Sequence, residues 1–154
     1  MGVERERTFR VASAPPPGET RPLRQAYLAI DGDVAVRVRA DGDERWLTVK
    51  GGRGRTRTEV ERLLTPEQFD ELWPLAGERT VEKERTRVPL DGGLVAEVDT
   101  FHGRHEGLRV VEVEFASEAD ADAFVPPPWF GEDVTDEPWA SNAWLATHGL
   151  PDDH

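Results

Sequence analysis

The sequence VAVRVRA, residues 34–40, places valines at every second position and arginines between the later ones. Side chains at i and i+2 lie on the same face of a strand. The stretch therefore predicts a β-strand with an apolar face and a face that carries Arg37 and Arg39. Asp-Gly turn signals stand on both sides of it, at 31–32 and 41–42. Such turns join antiparallel neighbours, so this strand belongs to a larger antiparallel sheet.

The same alternation, separated by turn signals, recurs along the chain. We predict eight strands, over residues 3–11, 23–30, 34–40, 45–50, 57–63, 80–90, 94–101 and 109–115. Two or three helices complete the prediction. The sequence Thr65-Pro66-Glu67-Gln68 is a capping box with proline in the first turn, and that helix ends near Gly77. Further helices are expected over 117–124 and 137–147. No linker interrupts the chain, which indicates one domain over residues 1–150 and a short tail over 151–154.

Composition excludes several classes of protein. The 154 residues include no cysteine, which excludes disulfide scaffolds, zinc–thiolate sites and cysteine nucleophiles. The net charge of −12 argues against nucleic-acid binding. All 19 basic residues lie within 1–109, and 17 of them are arginines, which suit phosphate and carboxylate partners. No apolar run has the length of a membrane span, and the first residues do not resemble a signal peptide. We therefore expect a cytoplasmic protein without a membrane partner, either a monomer or a homodimer.

Charged residues occupy one face of six predicted strands. The sets that share a face are Glu4 and Glu6; Arg37 and Arg39; Glu59 and Glu61; Lys83, Arg85 and Arg87; Glu97 and Asp99; and Glu112 and Glu114. On any one strand, a solvated face is the ordinary interpretation. Eight antiparallel strands, however, can close into a barrel, and charged faces turned inward would then line a channel. Clustered carboxylates suit Mg²⁺ or Mn²⁺, and clustered cations suit phosphoryl oxygens. Both together suit a metal-bound polyphosphate.

The order of these motifs resembles that of the CYTH superfamily, the triphosphate tunnel metalloenzymes. The resemblance spans nearly the whole chain. It is carried by VERERTF at 3–9, RQAYLA at 24–29, VRVR at 36–39, LTVKG at 47–51, EVE at 59–61, EKER at 82–85, VDTFHG at 98–103, GLRVVEVEF at 107–115, WFGEDVT at 129–135 and SNAWLA at 141–146. It implies a mainly β (α+β) fold, an eight-stranded antiparallel β-barrel tunnel with peripheral helices. It also implies metal-dependent hydrolysis of a triphosphate, with inorganic tripolyphosphate as the substrate expected for a chain of this length.

The resemblance implies roles for individual residues. Mg²⁺ or Mn²⁺ would be bound by Glu4, Glu6, Asp99, Glu112 and Glu114, with Glu59 and Glu61 available for a second ion. Phosphoryl oxygens would be bound by Arg37, Arg39, Lys50 and Arg85. Lys83 and Tyr27 resemble a lysine–tyrosine pair that activates the attacking water in some members of the superfamily. A metal ion held by the carboxylates is the alternative, since it could orient and acidify the water.

One signature position departs from the pattern Glu-x-Glu-x-Lys, because Thr8 stands where the lysine is expected. Arg10 lies on the same predicted face, and we expect it to cover the missing charge. The departure keeps a second class of function open, a non-catalytic module that binds polyphosphate or nucleotide. Class IV adenylyl cyclase and thiamine triphosphatase are enzyme alternatives on the same scaffold. Trp46 is the one aromatic residue considered for a base or thiamine pocket.

Two other features attract attention. His102 and His105 lie in a turn between two predicted strands, where we expect solvated histidines rather than metal ligands. The stretch at 51–56 is rich in glycine and arginine, but a strand follows it. It therefore predicts a loop near the tunnel mouth, which can supply an arginine, and not a P-loop.

Overall fold

Eight antiparallel strands close into a barrel in the computed structural model, which describes residues 2–52 and 55–151. The strands are β1 (Gly2–Val11), β2 (Glu19–Asp31), β3 (Val34–Asp41), β4 (Glu44–Gly51), β5 (Thr56–Leu63), β6 (Thr80–Pro89), β7 (Val95–His102) and β8 (Arg109–Glu114). Around the barrel their order is β1-β5-β4-β3-β2-β6-β7-β8 and back to β1. The eight predicted strands and the barrel are confirmed.

Strand β1 closes the barrel because its two halves pair with different neighbours. Residues 2–5 pair with β5, in the register Gly2↔Glu59, and residues 6–10 pair with β8, in the register Glu6↔Glu114. A ninth strand, β9 (Phe130–Asp133), pairs with the second half of β1. Strand β9 was not predicted, since a strand of four residues is too short to show an alternating pattern.

Three helices lie outside the strands: α1 (Pro66–Leu72), α2 (Glu118–Ala123) and α3 (Asn142–His148). The capping box before α1 is confirmed, with Gln68 N donating to Thr65 Oγ1 at 3.1 Å and Thr65 N donating to Gln68 Oε1 at 2.9 Å. The third helix begins later than predicted. Pro138–Ala140 forms a separate 3₁₀ turn, and Ser141 caps α3 by accepting from Trp144 N at 3.0 Å.

The apolar faces of the strands point outward and are largely covered, although Val34 and Val49 stay exposed. One cluster packs Phe9, Val98 and Val111 against α2 and β9. A second cluster packs Phe69 of α1 against Val38 of β3. A third cluster packs α3 onto the barrel. This arrangement leaves the charged faces to line the interior. Among residues 2–52 and 55–151, no helix is long and apolar enough to cross a membrane.

His105 is not solvated as predicted. It is fully buried, and its Nε2 lies 2.6 Å from the carbonyl oxygen of Leu145 in α3. A carbonyl oxygen only accepts, so Nε2 carries the proton. Burial lowers the pKa of His105, which keeps the ring neutral. His102 is only partly exposed, and its Nε2 lies 2.8 Å from Glu84 Oε1. The buried histidine thus attaches α3 to the barrel.

Candidate active site

The barrel encloses a cavity of about 1300 Å³, and every one of its eight strands contributes lining side chains. Residues from the segment 135–148 also line this cavity. The Gly-rich loop predicted at its mouth falls partly outside the described residues, at positions 53 and 54. Arg55 of that loop forms ion pairs with Glu118 and Asp122 of α2. The predicted tail likewise lies outside the described residues beyond Pro151.

Carboxylates from β1 and β8 form an acidic wall, which we define as Glu4, Glu6, Glu112 and Glu114. Glu6 lies directly opposite Glu114 across the two strands. Burial and the neighbouring carboxylate of Glu112 raise the pKa of Glu6 to about 8. Burial likewise raises the pKa of Glu4, although its Oε1 lies 3.1 Å from Lys50 Nζ. Burial therefore disfavours the charged forms of Glu4 and Glu6, although Lys50 and Arg57 lie beside them.

Two further predicted carboxylates line the cavity from β5 and have partners. Lys50 Nζ lies 3.3 Å from Glu59 Oε2 and 3.1 Å from Glu4 Oε1, so it bridges β5 and the acidic wall. Glu61 accepts a hydrogen bond from Thr48 Oγ1 at 3.1 Å. The structure thus places Lys50 among carboxylates, whereas the sequence analysis assigned it to phosphoryl oxygens.

Arginines form a basic wall, defined as Arg37 and Arg39 on β3 and Arg85 on β6. Those two strands flank β2, and β2 lies opposite β1 in the barrel order. Arg37 is buried and its Nε has no hydrogen-bond partner, while Arg39 Nε donates to Gln25 Oε1 at 2.7 Å. Burial and the neighbouring Arg37 lower the pKa of Arg39 to about 9. Arg37 and Arg39 thus lie across the barrel from the acidic wall, whereas Arg85 meets that wall, with its Nη2 3.7 Å from Glu112 Oε1.

Asp99 differs from the expectation that it lines the tunnel as a metal ligand. It is fully buried and is not among the residues that line the cavity. It accepts from Lys83 Nζ at 2.7 Å and from Arg85 Nε and Nη2 at 2.8 and 2.9 Å. Burial alone would raise its pKa, but Arg85 and Lys83 hold the pKa of Asp99 well below its usual range. Its position is that of an anion that holds two cations.

Lys83 and Tyr27 both line the cavity without a hydrogen bond between them. Lys83 Nζ donates to Asp99 and to Asn142 Oδ1, the latter at 2.9 Å. The Tyr27 hydroxyl accepts from Gln25 Nε2 at 3.3 Å. Burial lowers the pKa of Lys83 to about 8, although Asp99 opposes the shift. Gln25 and Asn142 were not predicted as site residues, because a single amide side chain is part of no sequence pattern that would indicate its hydrogen-bond partners.

Comparison with known proteins agrees with this geometry. No protein-family model matches the chain. An inorganic triphosphatase of Nitrosomonas europaea is 44% identical over 147 residues, which cover 94% of this chain and 97% of the relative. The chain belongs to the inorganic triphosphatases of the CYTH superfamily.

Two further relatives support the assignment to this family. An inorganic triphosphatase of Acetivibrio thermocellus is 35% identical and covers 94% of each chain. A crystal structure of an inorganic triphosphatase is 41% identical, covers 98% of each chain and superposes with a TM-score of 0.73. The recognised family and the tunnel fold are thus confirmed.

The CYTH signature position at Thr8 faces the cavity, but Arg10 does not join it there. Thr8 is buried among the lining residues, and its backbone N–H donates to Thr135 Oγ1 at 3.0 Å. Arg10 is not among those residues. Its Nε lies 3.3 Å from Glu132 Oε1, and its guanidinium lies 4.6 Å from the centre of the Trp139 ring. The geometry therefore gives no support to Arg10 as a replacement for the signature lysine.

The donor set of the acidic wall fits the divalent metal that the CYTH tunnel fold implies. Within residues 2–52 and 55–151, no group of three His, Asp or Glu side chains is already gathered as a metal site. The acidic wall nevertheless presents hard oxygen ligands and two glutamates, Glu4 and Glu6, whose charged forms are disfavoured by burial. A divalent cation would satisfy each of these groups.

Proposed function

We propose that this protein hydrolyses inorganic tripolyphosphate to pyrophosphate and phosphate inside the barrel, with Mg²⁺ or Mn²⁺. The observation that carries the proposal is the separation of charge, with an acidic wall on β1 and β8 and a basic wall across the cavity. A ligand that satisfies both walls is positive on one side and negative on the other. A metal-bound triphosphate has that charge distribution, and the inorganic triphosphatase relatives support the same substrate.

The acidic wall would hold the metal through Glu4, Glu6, Glu112 and Glu114. Glu59 and Glu61 would contribute to a second ion, since both line the cavity. When bound, the metal supplies positive charge to the phosphoryl oxygens. Arg37, Arg39 and Arg85 would hold the same oxygens from the other side, where their charge stabilises the transition state. Asp99 would keep Arg85 in place.

Lys83 would accept the proton of the attacking water. The oxygen of that water bonds to the terminal phosphorus in line with the bridging oxygen, whose bond to phosphorus breaks to release pyrophosphate. With a pKa of about 8, about a tenth of the Lys83 side chains are neutral at pH 7, and the neutral amine is the form that accepts a proton. The hydroxyl of Tyr27 accepts from Gln25, so its own proton is available to orient the water.

Nothing in the described residues favours adenine or thiamine triphosphate as the substrate. Trp46, the aromatic residue considered for such a pocket, is not among the residues that line the cavity. Its strand neighbours are Arg39 and Leu63. The charged interior instead suits a substrate that consists of phosphate groups.

The test is phosphate release from tripolyphosphate, ATP and thiamine triphosphate, each with Mg²⁺ and with Mn²⁺. We expect tripolyphosphate to give the largest kcat/KM, and chelation to abolish release. Tight binding of tripolyphosphate without release under either metal would instead identify a non-catalytic binding module.

A further inference from the structure

A chain of hydrogen bonds along the cavity lining connects Arg39 of the basic wall with Lys83. It starts at Arg39 Nε, which donates to Gln25 Oε1 at 2.7 Å. Gln25 Nε2 donates to Tyr27 Oη at 3.3 Å and approaches Asn142 Oδ1 at 3.5 Å. The same Asn142 oxygen accepts from Lys83 Nζ at 2.9 Å. Two amides therefore lie between the lysine and the tyrosine that the proposed function pairs.

The charged residues at its two ends determine the direction of this chain. A guanidinium only donates, so Gln25 must present its oxygen to Arg39 and its NH₂ group to the other side. An ammonium also only donates, so Asn142 must present Oδ1 to Lys83. The two orientations agree, because the NH₂ group of Gln25 then meets two acceptors. The assignment of both amides is thus consistent throughout.

Asn142 belongs to α3, which the rest of the chain attaches firmly to the barrel. Ser141 caps the helix, His105 Nε2 donates to Leu145 O, and Arg104 Nη1 donates to Ala146 O at 3.2 Å. Asn142 is the first residue of this helix, and it lines the cavity. A rigidly held acceptor is therefore presented to Lys83 from outside the eight barrel strands.

We infer that Asn142 is a positioning residue, which fixes the Lys83 amine group at the cavity as a second anchor beside the ion pair with Asp99. This inference rests on the proposed function for its catalytic consequence. The Lys83 side chain is almost completely buried and has two strong hydrogen-bond partners. If Asn142 is removed, Asp99 is the remaining anchor, and it lies beneath the cavity surface. With one anchor left, the amine can rotate about its contact with Asp99 and turn away from the attacking water.

The first measurement is steady-state hydrolysis of tripolyphosphate by Asn142→Leu, which keeps the size of the side chain and removes the acceptor. A displacement of about 1 Å in a catalytic group costs up to about 10²-fold, so we expect kcat to fall about 10- to 100-fold. We expect KM to stay within about threefold, because the arginines of the basic wall bind the phosphates. Asn142→Asp keeps an acceptor for Lys83 and should recover at least part of kcat.

Arg104→Ala is the matched control. It removes a hydrogen bond to α3 on the side away from the cavity, where Arg104 also donates to Glu78 O at 3.0 Å. We expect a lower melting temperature with an unchanged kcat. If Arg104→Ala lowers kcat as much as Asn142→Leu at equal loss of stability, then general loosening of α3 explains both effects, and the inference is wrong.

The second measurement does not depend on activity. The chain has only two lysines, Lys50 and Lys83, so lysine-selective ¹⁵N labelling gives two side-chain ammonium signals, which Lys50→Arg assigns. A buried, hydrogen-bonded ammonium exchanges its protons slowly, so Lys83 should give a sharp signal at pH 6 in the parent protein and in Asn142→Asp. The signal should broaden or shift in Asn142→Leu and persist in Arg104→Ala.

The two measurements separate the inference from the proposed function. If the parent releases no phosphate but the Lys83 signal depends on Asn142, then the proposed function fails and the positioning contact stands. If the signal and kcat of Asn142→Leu both match those of the parent, the inference is refuted. A loss of kcat with an unchanged Lys83 signal also refutes it, since Asn142 would then act by another route.

Discussion

Asp99→Asn distinguishes an ion-pair anchor from a metal ligand. The substitution keeps the shape of the side chain and removes its charge. In the folded protein it leaves Lys83 and Arg85 buried beside a neutral amide, where the parent has three charge-assisted hydrogen bonds of 2.7–2.9 Å. Removal of one partner from a buried ion pair costs about 3–5 kcal/mol. For a domain of this size, that loss corresponds to a fall in melting temperature of about 6–20 °C.

Glu114→Gln is the matched control, because the sequence analysis assigned Glu114 the same role as Asp99. Glu114 is exposed in the cavity, and burial of part of its side chain and the nearby Glu4 raise its pKa. Its negative charge is therefore unfavourable in the metal-free protein, and its removal should leave the melting temperature unchanged or raise it.

Thermal and urea unfolding of both variants, without metal, is the assay. The loss of stability caused by Asp99→Asn should be smaller in strong acid than near neutral pH. The pKa of Asp99 is lowered in the folded state, so its contribution is complete above the usual aspartate value and is lost as pH falls below it. If Asp99→Asn unfolds at the same temperature as the parent near neutral pH, the reasoning is refuted, and Asp99 is free to act as a ligand.

Four further predictions concern the cavity and the attachment of α3. Glu4→Gln should lose metal-dependent activity and keep its fold, because one ligand charge is removed from an already crowded wall; full activity at the same Mg²⁺ concentration would contradict the metal site. Arg39→Ala should raise KM and lower kcat together, and Arg39→Lys should recover only part of the loss, since the planar fork is gone; unchanged kinetics would contradict the basic wall. Thr8→Lys should raise kcat/KM on tripolyphosphate by about 10- to 100-fold, the value of about 1.5–3 kcal/mol for a charge-assisted contact, whereas Arg10→Ala should leave kcat/KM unchanged. His105→Gln keeps a donor for Leu145 O but does not titrate; because burial lowers the pKa of His105, the parent should lose stability as pH falls below about 6.5, and the variant should lose less between pH 7 and pH 5 in thermal unfolding.

The alternating pattern predicted the barrel, because a period of two residues determines on which face of the strand each side chain lies. The valines of 34–38 lie outward and the arginines inward for this reason. The alternating pattern does not predict how deeply a side chain is buried below the cavity surface. Glu97 and Asp99 share a face by sequence, yet Glu97 lines the cavity, whereas Asp99 is buried beneath its surface by two cations. The depth of a side chain depends on its partners across neighbouring strands, which a single strand does not reveal.

Position along the barrel axis is also absent from the pattern. Thr8 and Arg10 share a face by sequence, but Arg10 meets Trp139 and Glu132 instead of the cavity. Those partners come from the segment after β8, whose path depends on tertiary packing. His105 was mispredicted for a related reason, because its partner, the carbonyl of Leu145, is 40 residues away in α3.

The distribution of paired and unpaired charges identifies the kind of ligand that the interior is built to hold. Lys50 pairs with Glu59, and Arg85 pairs with Asp99, so neighbouring strands neutralise charge wherever a partner is within reach. On the two opposite walls this pairing is less complete. Glu6 faces Glu114 across two strands, and like charges in that position destabilise a sheet. Arg37 Nε is buried without an acceptor on the other side. A barrel that only needed to fold would place opposite charges at these positions. The walls instead require a cation at one side and an anion at the other, and a metal-bound polyphosphate supplies both in one ligand.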